Sequence, residues 1–277
     1  EPPYYSFWCD ATALGATLAA PDAVTVARAH GGDLYVERDP PYFLPLRNET
    51  LTRLTRTFCI SEHGLRYAQA RYPAAAPRLA LHRLGVPPAP QRTAVSTDGV
   101  LRIVSCAFML PLKRLDLLAE AVRLVRAPLQ WTHLGDGPAR VAVENRLASL
   151  PPHVDVRLMG HLPGPEVRRF YEAQPVDVFI SVSRSEGLPV SMMEAMSFGI
   201  PVLGTDVGGV RELVGEATLL PPDPTPAEVA ARLDALAALP REQMAEMRQQ
   251  AWARWQGTVD ARVQYPAFIE ALNTLAR

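Results

Sequence analysis

Two glutamates, Glu186 and Glu194, lie eight positions apart in the segment SRSEGLPVSMMEAMSFGIPVLGTDVGG, which starts at Ser183. A helix that begins near Pro189 would carry Glu194 and leave Glu186 in the preceding loop, up to about 12 Å away at about 1.5 Å per residue. The carboxylate pair of a glycosidase is closer, at roughly 5 to 9.5 Å. The spacing therefore favours binding of the two ends of one extended ligand.

The start of that helix has the chemistry of a phosphate site. From Gly187 onward it offers unpaired N–H groups and the positive end of the helix dipole, which together favour an anion. Glycine at 187 leaves room for close approach of a ligand. This interpretation predicts a ligand with a sugar at one end, a phosphate in the middle and a ribose at the other end. The alternative is that Glu186 is a first-turn helix charge and Glu194 a solvated residue.

Two adjacent cations, Lys113 and Arg114, follow the apolar run LRIVSCAFML. Together they could neutralise a diphosphate, because ammonium and guanidinium groups both bind phosphate oxygens. Cations are unfavourable near a helix N-terminus, so we expect a negative group nearby to offset them. A solvated helix start is the alternative.

Other candidate residues also fall at predicted strand ends, where open α/β sheets bind ligands. The motif AHGGDLY places a histidine and an aspartate at a strand end in the other half of the chain, facing the cleft, although a purely structural histidine is an alternative. The motif HLGDGP supplies a glycine turn that a ligand could approach. These additional candidates are His30, Asp33, Gly135, Asp136, Gly160 and Ser183.

The scaffold for these residues is predicted to be a parallel sheet with crossover helices. From about residue 101, short apolar runs alternate with helical periods, which is typical of βαβ units. Strands are predicted within 101–110, 129–137, 154–160, 176–183 and 200–205. Helices are predicted within 114–125, 139–150, 163–174, 190–199, 225–239 and 241–255, with a turn at 206–215.

Residues 1–88 are predicted to form a partial α/β domain. One apolar run ends at His30, a second covers Phe58–Ile60, and a third lies near residue 80. A proline-rich stretch, 87–91, is predicted to link it to a second domain over 89–255. Residues 256–277 are predicted to form a helix that returns toward the first domain.

Composition excludes several classes of function. The net charge is −1 and no basic stripe is present, so a nucleic-acid partner is not expected. No apolar run reaches the roughly 18 residues of a membrane span. The three cysteines, Cys9, Cys59 and Cys106, are far apart and odd in number, which favours a reducing cytoplasm and buried thiols over disulfides or a metal cluster.

The segment EGLPVSMMEAMSFGIPVLGTDVGG resembles the Glu-x₇-Glu signature of the retaining glycosyltransferases of family 4. The segments RIVSCAFMLPLKRLDLL, WTHLGDGP and VRLMGHLP are similar to donor-domain segments of that family, in the same order. The segment ARAHGGDLYVER resembles its acceptor-domain histidine segment. The resemblance covers most of the chain. It implies the α/β GT-B fold, with two Rossmann-like doubly wound domains, of which the N-terminal one is incomplete.

The resemblance also implies an activity: transfer of a sugar from a nucleotide diphosphate sugar to a hydroxyl of a glycan or lipid-linked acceptor, with retention of configuration. Glu186 would bind the transferred sugar, with the amides near Gly187 and Leu188 close to it. Glu194 would bind the ribose. No cofactor and no metal are expected, since the nucleotide sugar is a substrate.

Two further roles follow from the same resemblance. Lys113 would contact the diphosphate and support the departing nucleotide, and His30 would lie beside the reacting carbon. Many relatives have a Gly-Arg pair before the lysine, whereas this chain has SCAF, with Ala107 nearest to the arginine. We expect Arg114 to supply the missing charge.

The resemblance leaves alternatives open. Nothing in residues 1–20 matches the first strand and glycine-rich loop of the family, so the chain is expected to lack about half of the acceptor domain. A non-catalytic nucleotide-sugar-binding subunit, or an inactive donor domain, is therefore the alternative function. Hydride transfer would need a G-x-G-x-x-G motif after the first strand. The expected location is the cytoplasm. Trp252 and Trp255 are predicted to be packing anchors, and peripheral contact at the inner face of the membrane is the alternative.

Overall fold

A computed structural model describes residues 3–38 and 43–276 of the chain. Two parallel sheets form its framework. One sheet has four strands in the order β1-β2-β3-β4, and the other has six in the order β10-β9-β8-β5-β6-β7. Helices cover these sheets, so the predicted α/β fold with two Rossmann-like domains is confirmed.

The first domain contains the four-stranded sheet and three helices. Its strands are β1 (Tyr4–Ser6), β2 (Thr25–Ala29), β3 (Arg56–Cys59) and β4 (Leu79–Leu81). Its helices are α1 (Ala11–Ala19), α2 (Arg47–Arg53) and α3 (Glu62–Arg71).

The second domain contains the six-stranded sheet, and two long helices end the described chain. The strands are β5 (Leu101–Cys106), β6 (Leu129–Leu134), β7 (Val154–Leu158), β8 (Val178–Ser181), β9 (Val202–Thr205) and β10 (Leu219–Leu220). The helices are α4 (Leu115–Val122), α5 (Arg140–Arg146), α6 (Gly164–Ala173), α7 (Val190–Ser197), α8 (Val210–Leu213), α9 (Pro226–Ala237), α10 (Arg241–Thr258) and α11 (Ala261–Leu275).

The central strands of the second domain are buried on both faces. In β8, Phe179 packs into the core beside α7 and α10, whereas Ile180 packs into the core beside α4 and α9. In β5, Val104 packs on the same side of the sheet as Phe179, and Ile103 packs on the same side as Ile180. Successive side chains of a strand point to opposite faces, so an apolar run of this kind needs helices on both sides of its sheet.

The N-terminal residues contain two elements that the apolar pattern did not indicate. Strand β1 has only three residues, and its tyrosines are exposed, so it lacks the alternation of a half-buried strand. Helix α1 begins at Asp10, whose carboxylate accepts hydrogen bonds from the amides of Thr12 and Ala13. The predicted turn at 206–215 also differs, because it includes the short helix α8.

Helix α11 packs on the sheet of the first domain. The amide of Val86 donates to the carbonyl of Val259 over 3.0 Å, and the amide of Ala261 donates to the carbonyl of Val86 over 3.1 Å. Beyond this junction, Phe268 of α11 is buried against Phe58 of β3. The end of the chain is therefore tied to the first domain.

None of the helices in the described ranges is long and apolar enough to cross a membrane. Cys9 and Cys59 are buried, Cys106 is partly buried, and all three are free thiols. Burial raises the pKa of each thiol to about 12, so these cysteines are unreactive at neutral pH.

Candidate functional site

The candidate residues of the second domain gather at the carboxyl edge of its sheet. Lys113 follows β5, Gly135 follows β6, Gly160 follows β7, and Glu186 follows β8. The pairing of these strands is parallel, so their carboxyl ends meet at one edge. This is the edge at which open α/β sheets bind ligands.

Lys113 and Glu186 form an ion pair at this edge. The Nζ atom of Lys113 lies 2.6 Å from Oε1 of Glu186, and the side chain of Glu186 is almost completely buried. Lys113 ends a short 3-10 turn after β5, whereas Glu186 lies in the loop after β8. The negative group expected beside Lys113 is therefore Glu186, and the two form a charge-assisted hydrogen bond.

Arg114 lies next to Lys113 in the chain but faces a different environment. Its guanidinium is buried and donates to the carbonyls of Val182 (2.6 Å), Ser183 (3.2 Å) and Pro222 (2.8 Å). It also pairs with the carboxylate of Asp223 at 2.5 Å. Arg114 thus joins the loops after β8 and β10, and the expectation that it neutralises a diphosphate does not fit the structure.

Glu194 lies within α7 and is half-buried. Burial raises the pKa of its carboxyl, and the positive charge of Arg168 offsets this only in part. A half-buried carboxylate of this kind gains from hydroxyl donors, because hydrogen bonds to the charged form replace lost water. The chemistry of Glu194 is therefore suited to binding a diol such as a ribose.

The glycine turn after β6 is built by backbone contacts. Gly135 has φ +149°, and a Cβ atom there would lie 1.9 Å from the carbonyl oxygen of Ala107. Its amide donates to the carbonyl of Gly160 over 2.8 Å. The carboxylate of Asp136 accepts from the amide of Gly137 and pairs with Arg140, and these contacts, the amide first, lower the pKa of Asp136.

Ser183 and Leu188 are buried by contacts within the fold. The hydroxyl of Ser183 is hydrogen-bonded to that of Ser181 at 3.0 Å, and its carbonyl accepts from Thr205 at 2.6 Å. Leu188 is buried in the same core cluster as Met192. Both side chains are thus used in packing, and only their backbone groups could serve a ligand.

The first domain contributes His30, which follows β2. Its ring packs between two aromatic rings, with centroid distances of 4.6 Å to Phe7 and 4.3 Å to Trp8. Within residues 3–38 and 43–276, neither nitrogen of the His30 ring has a hydrogen-bond partner. An imidazole held in this way can still donate to, or accept from, a bound molecule.

Asp33 organises the loop that carries His30. Its carboxylate accepts hydrogen bonds from the amides of Cys9 (2.8 Å), His30 (2.7 Å) and Gly31 (3.1 Å). Burial alone would raise the pKa of Asp33, but the adjacent His30 side chain and these amides lower it. Asp33 therefore fixes the backbone at His30.

The two domains touch through backbone at Gly187. A Cβ atom on Gly187 would lie 2.3 Å from the carbonyl oxygen of His30. A Cβ atom on Gly31 would lie 3.1 Å from the amide nitrogen of Gly187. This contact places the loop of His30 directly beside Glu186, and glycine at 187 is needed for it.

One buried group near the site was not singled out from the sequence. The Nδ1 atom of His133 lies 2.7 Å from the hydroxyl of Ser105, which also accepts from the indole of Trp131 over 2.9 Å. The Nε2 atom of His133 lies 3.2 Å from the carbonyl of Ala107. Burial lowers the pKa of His133 to about 4, so the ring is neutral at pH 7. A histidine inside an apolar strand was the available signal.

No group of three or more His, Cys, Asp or Glu side chains in the described part of the chain is arranged to hold a metal ion. The site residues that the structure brings together are Lys113 and Glu186, with His30 next to them across the domain contact. They combine a cation, a carboxylate and an imidazole, which are groups that bind phosphates and sugar hydroxyls.

Comparison with known proteins relates the second domain to one family of enzymes. Residues 101–238 match the family described as glycosyl transferases group 1. A putative teichuronic acid biosynthesis glycosyltransferase, TuaC of Bacillus subtilis, is 32% identical over 134 residues, which cover 48% of this chain and 29% of the relative. A putative colanic acid biosynthesis glycosyltransferase, WcaL of Salmonella typhimurium, is 29% identical over 178 residues, which cover 55% of this chain and 43% of the relative.

A solved structure shows the fold. Anabaena Alr3699/HepE, in complex with UDP and glucose, matches with a TM-score of 0.77 and 15% identity, over 99% of this chain and 78% of that chain. Residues 101–238, which lie in the second domain, are thus similar to the glycosyl transferases of group 1, and the fold of the chain is GT-B. The chain spans less than half the length of the two curated relatives.

Proposed function

We propose that this chain forms the donor site of a retaining glycosyltransferase of the hexosyltransferase type. The substrate would be a nucleotide diphosphate sugar, and the acceptor a hydroxyl of a glycan or lipid-linked molecule. The ion pair of Lys113 and Glu186 at the edge of the sheet carries the proposal, with His30 beside it across the contact at Gly187. The family match over residues 101–238 supports it.

In this proposal each charged group has one role. Lys113 binds the diphosphate and stabilises the negative charge that develops as the bond between the sugar and the phosphate breaks. Glu186 then exchanges its contact with Lys113 for hydroxyls of the sugar. Glu194 accepts hydrogen bonds from the ribose.

Retention would follow if the acceptor attacks from the face that the diphosphate leaves. The bond from the anomeric carbon to the phosphate oxygen breaks, and a bond to the acceptor oxygen forms on the same side. The proton of the acceptor hydroxyl passes to the departing phosphate. His30, whose ring nitrogens make no hydrogen bond within the described residues, would orient the sugar near the reacting carbon.

The comparisons suggest which ligands to test. The Anabaena structure contains UDP and glucose, and the two curated relatives are named for the biosynthesis of teichuronic acid and of colanic acid. We propose a UDP-sugar as donor and a growing polysaccharide as acceptor. We propose that the chain acts in the cytoplasm, with peripheral contact at the inner face of the membrane when the acceptor is lipid-linked.

Lys113 offers a direct test because it is the only lysine in the sequence. An amine-selective reagent should therefore label Lys113 and the terminal amine alone, and bound UDP should protect Lys113 at pH 7. Lys113→Ala should lower turnover of the UDP-sugar by about 10²-fold or more, as loss of one preorganised donor does. Its melting temperature should fall, because the buried Glu186 loses its cation, but the variant should remain folded at the assay temperature.

Arg157→Ala is the matched control, since Arg157 lies on the exposed side of β7 and contacts Asp155. It should leave both labelling and turnover unchanged. Near-normal turnover in Lys113→Ala would contradict the role given to Lys113, and labelling that UDP does not reduce would contradict binding at this site.

A second candidate function is a non-catalytic nucleotide-sugar-binding subunit. Two observations favour it. Ala107 lies where many relatives have an arginine, so it supplies no cation. The guanidinium of Arg114 donates its hydrogen bonds to the protein and not to a ligand. The release of free sugar from the donor without acceptor separates the two functions. Binding of UDP without hydrolysis or transfer would favour the subunit.

A further inference from the structure

A carboxylate of the second domain caps a helix of the first. Glu212 lies on α8, and its Oε2 and Oε1 atoms accept hydrogen bonds from the amides of Glu62 and His63, each at 3.0 Å. These amides begin α3. The next amide, that of Gly64, is satisfied by the hydroxyl of Ser61 at 3.0 Å. The first turn of α3 is thus capped by its own domain and by the other domain together.

Arg83 reinforces this cap from the first domain. Its Nη2 atom lies 2.8 Å from Oε2 of Glu212 and 2.8 Å from Oε1 of Glu62. The side chains of Arg83 and Glu212 are 20% and 13% exposed. Partly buried charges are screened less by salt than exposed ones, so this contact is stronger than an ordinary surface pair.

The loop before α8 connects this cap to the candidate site. A Cβ atom on Gly208 would lie 1.7 Å from the carbonyl oxygen of Glu186. A Cβ atom on Gly209 would lie 2.5 Å from the carbonyl oxygen of Gly187 and 2.8 Å from Cβ of Ser61. The backbone at 208–209 is therefore tightly packed between the start of α3 and the loop of Glu186.

We propose that Glu212 is a positioning residue for the transfer reaction. By capping α3 across the domain boundary, it holds the first domain closed against the second, so that His30 stays packed on Gly187 beside Glu186. Glu212 touches no reacting atom in this scheme. The proposal rests on the proposed function for its catalytic consequence, whereas the closure itself can be tested without substrate.

The first test measures closure in Glu212→Ala. The amides of Glu62 and His63 should exchange hydrogen at least 10-fold faster, and the radius of gyration from small-angle X-ray scattering should increase. Glu216→Ala is the matched control, because Glu216 follows α8, is 81% exposed and pairs with Arg211 of its own domain. It should change neither quantity. Faster exchange without any change in radius would overturn the positioning role, and unchanged exchange would overturn the cap.

The second test measures the reaction, as UDP release from UDP-glucose. Glu212→Ala should lower kcat by about 10²-fold, the effect of a small misplacement of reacting groups, with a nearly unchanged Kd for UDP. The kcat of Glu212→Gln should fall between those of the parent and Glu212→Ala. Its side chain keeps one oxygen acceptor but turns an NH₂ group toward the second backbone N–H. Wild-type kcat in Glu212→Ala would overturn the proposal. A parent protein that neither binds UDP nor releases it would instead contradict the proposed function, and the closure test would still stand.

Discussion

The two domains form their sides of the candidate site by different means. In the second domain, backbone packs against backbone, as at Gly135 and Gly208, where any Cβ atom would collide with a carbonyl oxygen. In the first domain, the carboxylate of Asp33 gathers three amides around the loop of His30. One side therefore depends on the absence of side chains, and the other depends on charge.

This difference predicts different sensitivities. A side built from backbone should fail with the smallest added side chain and should respond little to pH. A side built around a buried carboxylate should weaken in acid, because protonation removes the charge that the amides stabilise.

Gly135→Ala should cause the largest loss. The new Cβ atom would lie 1.9 Å from the carbonyl oxygen of Ala107, at a φ of +149°, so we expect a cost of about 3–5 kcal/mol. The free energy of unfolding from denaturant titration measures it. Gly257→Ala in α10 is the control, since no atom lies within 4 Å of its Cβ position; it should gain up to about 1 kcal/mol. Equal stability of Gly135→Ala and the parent would refute the backbone account.

His133 makes one part of the second domain sensitive to pH despite its backbone construction. Its pKa is about 4 in the fold and about 6.5 when unfolded, so this ring should make the fold about 3 kcal/mol more stable above pH 6.5 than in acid, where the buried ring must carry a charge. That contribution should be lost as the pH falls from about 6.5 toward 4. NMR titration of the imidazole should show no protonation until about pH 4.

A variant without a titratable ring at position 133 isolates this contribution to stability. The slope of stability against pH should be shallower in His133→Asn than in the parent, whatever the absolute stability of the variant. A His133 ring that titrates near pH 6.5 would contradict its burial.

Asp33→Asn should cost about 2–3 kcal/mol at pH 7, because an amide in place of the carboxylate turns donors toward backbone N–H groups. The native pKa of Asp33 is lowered, so its stabilisation is complete above the unfolded value of about 3.9 and is lost as the pH falls through the native value. The gap between parent and variant should therefore narrow in acid.

Asp22→Asn is the control for this change, because Asp22 is exposed. It should leave the free energy of unfolding within about 0.5 kcal/mol of the parent. A gap for Asp33→Asn that stays constant down to pH 2 would show that the carboxylate charge is not what holds the loop of His30.

Glu194→Gln should have the smallest effect on stability, and with the opposite sign. Burial raises the pKa of Glu194, so its ionised form weakens the fold, and the variant should be more stable by about 1 kcal/mol at most. This gain should grow as the pH rises through the native pKa and vanish in acid. The melting-temperature shift caused by UDP should be lost, whereas Glu166→Gln, at an exposed position of α6, should retain it.

Much of the second domain could be predicted because its strands are short apolar runs, and two of them, β6 and β7, end at glycine turns. Lys113 and Glu186 could be identified by their position after strands and by their family resemblance. Arg114 could not be assigned correctly, because its direction depends on Val182 and Pro222, which are distant in the chain. Strand β1 was missed because three residues, two of them exposed, carry no periodicity.

The sequence by itself determined the class of fold, the order of elements in the second domain, and the glutamates and lysine of the candidate site. These depend on local patterns: periodicity, turn glycines and motif spacing. Only the tertiary structure decided that Lys113 faces Glu186 while Arg114 turns inward, and that Glu212 caps a helix 150 residues away. Such contacts join loops through a folded sheet, and their partners are selected by geometry that no local pattern encodes.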